Sequence, residues 1–423
     1  MFNKHLNNYK TFFIILPVIV IIRIFSGISS DVDLYSKISS KLLSGQTPFL
    51  NNFYFEYPPI TAYLFGIVGS VMKVFNLKSL FSYNLIFILM SAFFIVLSYL
   101  LTIKMASKLQ LNLLPIHVSF CLFIVEYRII GFERYDIFPA FLVLLSLYIV
   151  QFLNYRNVFL SGLFLGLAIC LKLYPVILLP LYIIYILRES VIQKMNNILR
   201  TITAFGLGLF VAILPTAVLI YKGFEGIVKF YQYHSNRGFE VTSIGTTLAL
   251  GGSFFGVGKV DPFAYCCEYG SYDIVYTYTS QLKSLLNIGL ALLLGLVLVM
   301  YYKRLSNLNL NNYKNLIQSS YIFVLLFVIT NKVFSTQYFI WLLSLGLLTI
   351  GFITNIRTRK IAYFLFFSSM ILNSIILNYF WRFETEISIL QIMLINLKNI
   401  LFWLLFMVVF ADFVIKKPID KMV

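Results

Sequence analysis

Two aspartates, Asp31 and Asp33, stand in the polar stretch SSDVDLYSKISSKLLSGQTPFLNNFYFEYPP, just after the first apolar run of the chain. A carboxylate close to a hydroxyl is a general base. One Asp at the start of a helix serves equally well as a cap, but two exceed what capping needs. Glu56 follows in the same stretch, before Pro58 and Pro59. The prolines are an ordinary way to begin a helix, whereas an acid at the mouth of an apolar segment costs free energy unless solvated or paired. A second charged group lies in GFERYDIFPA, where Glu126, Arg128, Glu133, Arg134 and Asp136 crowd one connection. It reads either as a salt-bridged loop or, through Asp136, as part of the same acidic site.

The cations are more scattered. Lys172 sits in GLAICLKLYPVILLP, deep in an apolar stretch, where a cation either lines a cavity or snorkels to an interface. His234, Arg237 and Glu240 fall together in YQYHSNRGFE, and Lys332 stands in NKVFSTQY. Cations stabilise phosphate oxygens, and arginine binds two at once. Carboxylates with cations suit an enzyme that activates a hydroxyl and expels a phosphate. They are compatible with glycosyl transfer without requiring it. Arg382, Glu384 and Glu386 in WRFETE read as a structural polar turn.

The elements that must position these residues are apolar helices. Of 423 residues 60% are hydrophobic and 12% charged, against about 25% charged in a soluble domain. Apolar segments near the ~20 residues of a bilayer span recur along the chain. The short alternating segments of a β-barrel are absent. The fold expected is all-α and polytopic, with about twelve spans near 11–28, 58–76, 81–103, 111–127, 136–154, 158–187, 201–221, 281–302, 315–331, 338–355, 361–379 and 390–413. Lys172 and Pro175 interrupt 158–187, as one broken helix or two short ones. The first run follows Lys4 and Lys10 and reads as an uncleaved span. Tyr35, Ile38 and Leu42 share one helical face and Lys37 and Lys41 another, which predicts a short amphipathic helix at the membrane surface. No internal repeat is visible. The whole of 1–423 is read as one membrane domain, divided into 1–221 with its first outer loop 29–57, a large outer loop 222–280, and helices 281–423.

The net charge of +17 does not imply a nucleic-acid partner, because the cations lie in short clusters between apolar segments. Arg188 with Lys194 and Arg200, Lys303 with Arg304 and Lys314, Arg357 with Arg359 and Lys360, and Lys416 with Lys417 and Lys421 mark one face as cytoplasmic. The loops 29–57, 222–280, 331–338 and 380–389 then lie opposite, in a multi-pass protein of a prokaryotic or archaeal plasma membrane. The side of Asp136 stays open: outside if 158–187 crosses as two short helices, inside otherwise. Cys121 and Cys170 read as buried small residues. Cys266 and Cys267 adjoin in the outer loop, with no disulfide framework indicated.

SDVDLY…LLSGQTPF…EYPPITAYLF resembles the first outer loop of the GT-C glycosyltransferase superfamily. With RYDIFPAFLVLLSLYI, SGLFLGLAICLKLYPVILLPL, HSNRGFE and NKVFSTQYFIWLL in that order, the chain is most similar to the polyprenyl-phosphate-mannose-dependent mannosyltransferases of glycosyltransferase family 87. The likeness spans roughly 25–345 and fades in the C-terminal third. It implies an inverting transfer of a sugar, mannose by family default, from a polyprenyl- or dolichyl-phosphate donor to a glycolipid or glycan acceptor on the non-cytoplasmic face. It places the catalytic base on Asp31, with Asp33 as second choice. Lys172, Arg237, Lys332, His234, Glu56, Asp136 and Tyr35 become donor-phosphate or substrate contacts. No cofactor is required. Some relatives hold a divalent metal, here at Glu56 and His234. A transporter or flippase of lipid-linked sugars and a non-catalytic subunit of a glycosyltransferase complex are the alternatives. The first would show matched broken helices in two halves, and the second would tolerate loss of both aspartates.

Overall fold

The computed structural model describes residues 2–50, 53–193, 197–266, 271–305, 312–380 and 389–415. Its helices, in chain order, are α1 (Phe2–Phe25), α2 (Ser30–Leu43), α3 (Thr61–Val74), α4 (Leu80–Lys108), α5 (Leu114–Glu126), α6 (Ile130–Glu133), α7 (Ile137–Val150), α8 (Tyr155–Leu171), α9 (Leu179–Ile192), α10 (Ile198–Lys222) and α11 (Phe224–Asn236). After strand β1 (Phe239–Glu240) come α12 (Ile244–Phe254), strands β2 (Val260–Cys266) and β3 (Ser271–Tyr276), then α13 (Thr279–Leu305), α14 (Asn312–Thr330), α15 (Phe339–Gly351), α16 (Ile356–Phe380) and α17 (Ile389–Ile415).

Among the described residues seven helices are long and apolar enough to cross a membrane, or up to eight if the bent pair α1–α2 counts as one span. They include α4, α10, α13, α14 and the bodies of α16 and α17, together with Tyr174–Ile192. The expected segments 58–76, 111–127 and 136–154 are shorter apolar helices, α3, α5 and α7, of 14, 13 and 14 residues. Chain punctuation trims the first of them: Asn76 takes positive φ at a turn where the sequence reading let the helix run on, and Gln110 does so at the turn before α5. Arg382, Glu384, Glu386, Cys267, Lys194 and the C-terminal lysines lie outside the described residues.

The chain divides into two compact units, Met1–Val176 with Glu189–Ser235, and Ile177–Arg188 with Asn236–Val423. In the first, the chain turns by 77° between α1 and α2. Gly27, at φ 93°, takes the left-handed conformation this corner needs. Ser29 caps α2 by accepting from the Val32 N–H, and Asp31 and Asp33 fill the first turn, where their charge opposes the helix dipole. Val32, Tyr35 and Ile38 are buried while Lys37 and Lys41 are exposed. At 14 residues, about 21 Å, α2 is too short to span the ~30 Å hydrocarbon core by itself.

The segment 158–187 is two helices. Pro175 cannot donate to the carbonyl of Leu171 and crowds it, so α8 stops there and Lys172 is extended, at φ −155° and ψ 129°. The released Leu171 carbonyl accepts the Thr61 hydroxyl at 3.1 Å. Against α8, α10 packs with backbone touching backbone. A Cβ on Gly162 would stand 2.2 Å from the Phe205 carbonyl, and one on Gly208 2.1 Å from that of Phe159. Gly162 with Gly166, and Gly208 with Ala212, are pairs of small residues one turn apart, the pattern that permits such approach. Cys170 is buried in this seam, whereas Cys121 is only partly buried, unlike the expectation.

In the second unit the part 236–280 of the expected outer loop is not plain loop. It carries α12 and an antiparallel sheet ordered β1-β3-β2. The SYDIVY alternation forms β3, which buries Ile274 and Tyr276 against Phe239 and Ala249. Buried α17 polar side chains hold the start of this loop. Lys398 donates to the Thr242 carbonyl at 2.8 Å, and Asn399 donates to the Ser243 carbonyl at 3.2 Å.

Candidate functional site

In the first unit the charges gather at the short connection between α6 and α7. Arg134 reaches Asp31, its Nη1 2.6 Å from Oδ1, with the two side chains 18% and 19% exposed. Two residues on, Asp136 receives the Lys172 ammonium at 2.6 Å, and this carboxylate is fully buried. Lys172 is available because α8 breaks beneath it. Its Nζ also lies 4.8 Å from the centre of the Tyr135 ring, a cation–π contact. Asp136 and Lys172 thus lie in the same cluster as Asp31.

Aromatic rings wall this cluster. Tyr35 stacks on Phe65 with centroids 4.0 Å apart and meets Tyr57 and Tyr135 edge-on. Glu56 accepts the Tyr233 hydroxyl at 2.6 Å. His234 approaches the Glu56 main-chain oxygen, not its carboxylate, with Nε2 3.0 Å away. Among the described residues no three His, Cys, Asp or Glu side chains group to hold a metal ion. The pair expected for a metal therefore has its carboxylate turned to a tyrosine, with no third ligand grouped beside it among the described residues.

Burial pushes the Asp31 carboxyl above the usual carboxylate range. Arg134 pulls the other way, while Glu56 and Asp136 add to the rise. For Arg134, burial disfavours the charge, but Asp31 and its neighbours outweigh this and hold the guanidinium firmly protonated. Asp33 is elsewhere in character: it points outward and pairs with Lys37 one turn on, at 2.5 Å, with the side chains 39% and 69% exposed. An exposed i,i+4 pair of this kind contributes little.

The second unit holds a group of cations. Lys283 and Lys332 both donate to the main-chain oxygen of Arg237, at 2.6 and 3.2 Å. The Arg237 guanidinium lies 3.4 Å from Asp273. Burial, then Lys283 and Arg237, lower Lys332 to about 8. Asp273 faces Glu240 across the β1–β3 ladder, an arrangement of like charges that needs cations nearby. Burial raises the Glu240 carboxyl, opposed by Arg237 and Lys398.

Asp31, Tyr35, Glu56, Asp136 and Lys172 thus fall in one cluster of the first unit, with His234 at its Glu56 edge. Arg237 and Lys332 fall in one cluster of the second. Sequence reading named Arg134 but gave it no role, and it passed over Lys283 and Asp273. The alternation of SYDIVY was the available signal for Asp273.

The model of glycosyltransferase family 87 matches residues 54–328. The chain belongs to glycosyltransferase family 87. No curated protein matches it. The family 87 stretch contains Glu56, Arg134, Asp136, Lys172, His234, Arg237 and Lys283. Asp31, Asp33 and Tyr35 precede it and Lys332 follows it. The chain is therefore a membrane glycosyltransferase, whose helices imply a bilayer and whose reaction implies a sugar donor and an acceptor.

Proposed function

We propose that this chain transfers a sugar, mannose in the first instance, from a polyprenyl-phosphate donor to a glycolipid or glycan acceptor, with inversion and with Asp31 as general base. The observation that carries this reading is the Asp31–Arg134 pair. Arg134 occupies Oδ1 and fixes the carboxylate, while the side chain keeps 19% of its surface open. Oδ2 is then the oxygen that receives the proton. The acceptor oxygen attacks the anomeric carbon as its proton passes to Asp31. The bond from that carbon to the phosphate oxygen breaks, and polyprenyl phosphate leaves with the electron pair. Tyr35, buried and stacked on Phe65, packs α2 beneath Asp31 in this reading.

Lys172 neutralises buried Asp136 in this reading. In the second unit Arg237, Lys283 and Lys332 gather near two acids, Asp273 and Glu240. Such a group of cations suits phosphate oxygens. The site works on the non-cytoplasmic face, consistent with the cation clusters assigned to the cytoplasm.

The test is a donor panel with the purified chain in liposomes. Labelled sugar should pass from polyprenyl phosphate to a glycolipid with inversion at the anomeric carbon. A nucleotide sugar should give nothing. Transfer from the nucleotide sugar alone, or retention of configuration, would contradict the proposal.

A further inference from the structure

Asp31 does not hold its position alone. Arg23, in the last turn of α1, and Asp31, in the first turn of α2, flank the 77° corner between these helices. The two side chains bond to consecutive residues of the opposite segment: Arg23 to Glu133, and Asp31 to Arg134. Arg23 and Glu133 are 4% and 1% exposed, so this pair is deep in the unit. Further along the same segment, Asp136 is bonded to Lys172. Residues 133–136, Glu-Arg-Tyr-Asp, therefore meet three separate parts of the chain through three ion pairs.

The order of signs matters. Base and acid on the corner face acid and base on the segment. A slip of one residue would set Arg23 against Arg134 and Asp31 against Tyr135, or Asp31 against Glu133 and Arg23 against Phe132; either way both ion pairs are lost and one like-charge contact appears in a poorly solvated place. Only one register satisfies both pairs. A buried ion pair is often no more stabilising than apolar residues of the same size, and its best-attested use is to specify one arrangement among several.

We propose that Arg23 and Glu133 are positioning residues that lock the α1–α2 corner and hold Arg134 against Asp31. The inference rests on the reading of Asp31 as the base. Neither residue touches substrate. Their effect passes through the placement of the Asp31–Arg134 pair.

The double variant Arg23→Met, Glu133→Leu replaces the ion pair with apolar side chains of similar volume and keeps the core filled. It should fold, show a several-fold lower kcat with little change in KM, and move the acid limb of the pH–rate profile. Arg23→Lys keeps the charge and should recover most of the rate, which also covers the case in which the double variant folds poorly. A second readout needs no activity. With Asp31→Cys as a reporter, a water-soluble maleimide should label position 31 several-fold faster when the Arg23–Glu133 pair is absent. Parental kcat, pH profile and labelling rate in the double variant would overturn the proposal. Full activity of Asp31→Asn would instead defeat the base assignment, and the labelling comparison would still decide whether the pair orders the corner.

Discussion

At the scale of single residues, two aspartates two positions apart in α2 receive different surroundings. Asp33 looks outward to Lys37, and Asp31 looks inward to Arg134. Because burial raises the Asp31 carboxyl, the ionised base forms only at a pH above that of a free aspartate, about 3.9. Activity should fall with acid along a limb displaced upward from that value. Arg134, ahead of Lys172, lowers this carboxyl, so Arg134→Met should displace the limb further upward and slow transfer at neutral pH. A pH–rate profile of the two proteins checks both statements. An unmoved limb would remove Asp31 from the reaction. For Lys332 the sign is opposite. It is charged below about 8 and neutral above, so the KM for the donor should rise as the pH climbs through that value. Lys332→Arg should stay flat over the same interval. Among these residues Asp31, Asp136 and Lys172 were legible in the sequence because an acid or a base beside an apolar run stands out. The pairing of Arg134 with Asp31 joins residues about a hundred positions apart, and only the fold reports it. Lys283 was hidden inside an apolar span.

At the scale of elements, the break after α8 and the close packing of α8 on α10 set the site. The break was readable from Lys172 and Pro175. The glycine seam was not, since small residues in an apolar run look the same on any face. Gly208 has a backbone carbonyl and a backbone N–H where a methyl would go, at 2.1 and 2.7 Å, and neither can move aside cheaply. Gly208→Ala should lower stability by roughly 1–3 kcal/mol, seen as a lower midpoint of thermal unfolding in detergent, while Gly206→Ala, whose methyl would meet open space, should be near neutral. Equal midpoints would mean that the two helices do not meet as described. The loop 222–280 was the least legible element. Its polar composition concealed two short helices and a sheet, and β1 is two residues long, below any pattern that periodicity can detect.

At the scale of the whole chain, the apolar helices and the family were both legible, because composition and an ordered series of motifs survive without knowledge of contacts. The number of long spans was not. The helices α3, α5 and α7 are apolar enough to resemble spans and too short to be counted as such by length. The cation clusters predict which face is which. In a variant without native cysteines, a cysteine at Ser44, exposed after α2, should be labelled by an impermeant reagent in intact cells, and one at Arg357 only after lysis. The reverse pattern would place the Asp31 cluster in the cytoplasm. The central claim is that one carboxylate accepts the proton of the acceptor. The direct measurement is single-turnover transfer from polyprenyl-phosphate sugar by the parent, Asp31→Asn and Asp33→Asn, each shown to be folded. The account predicts a loss of about 10²–10⁴-fold for Asp31→Asn, the usual worth of a positioned general base, and near-parental rates for Asp33→Asn. Parental transfer by Asp31→Asn, or a loss confined to Asp33→Asn, would contradict it.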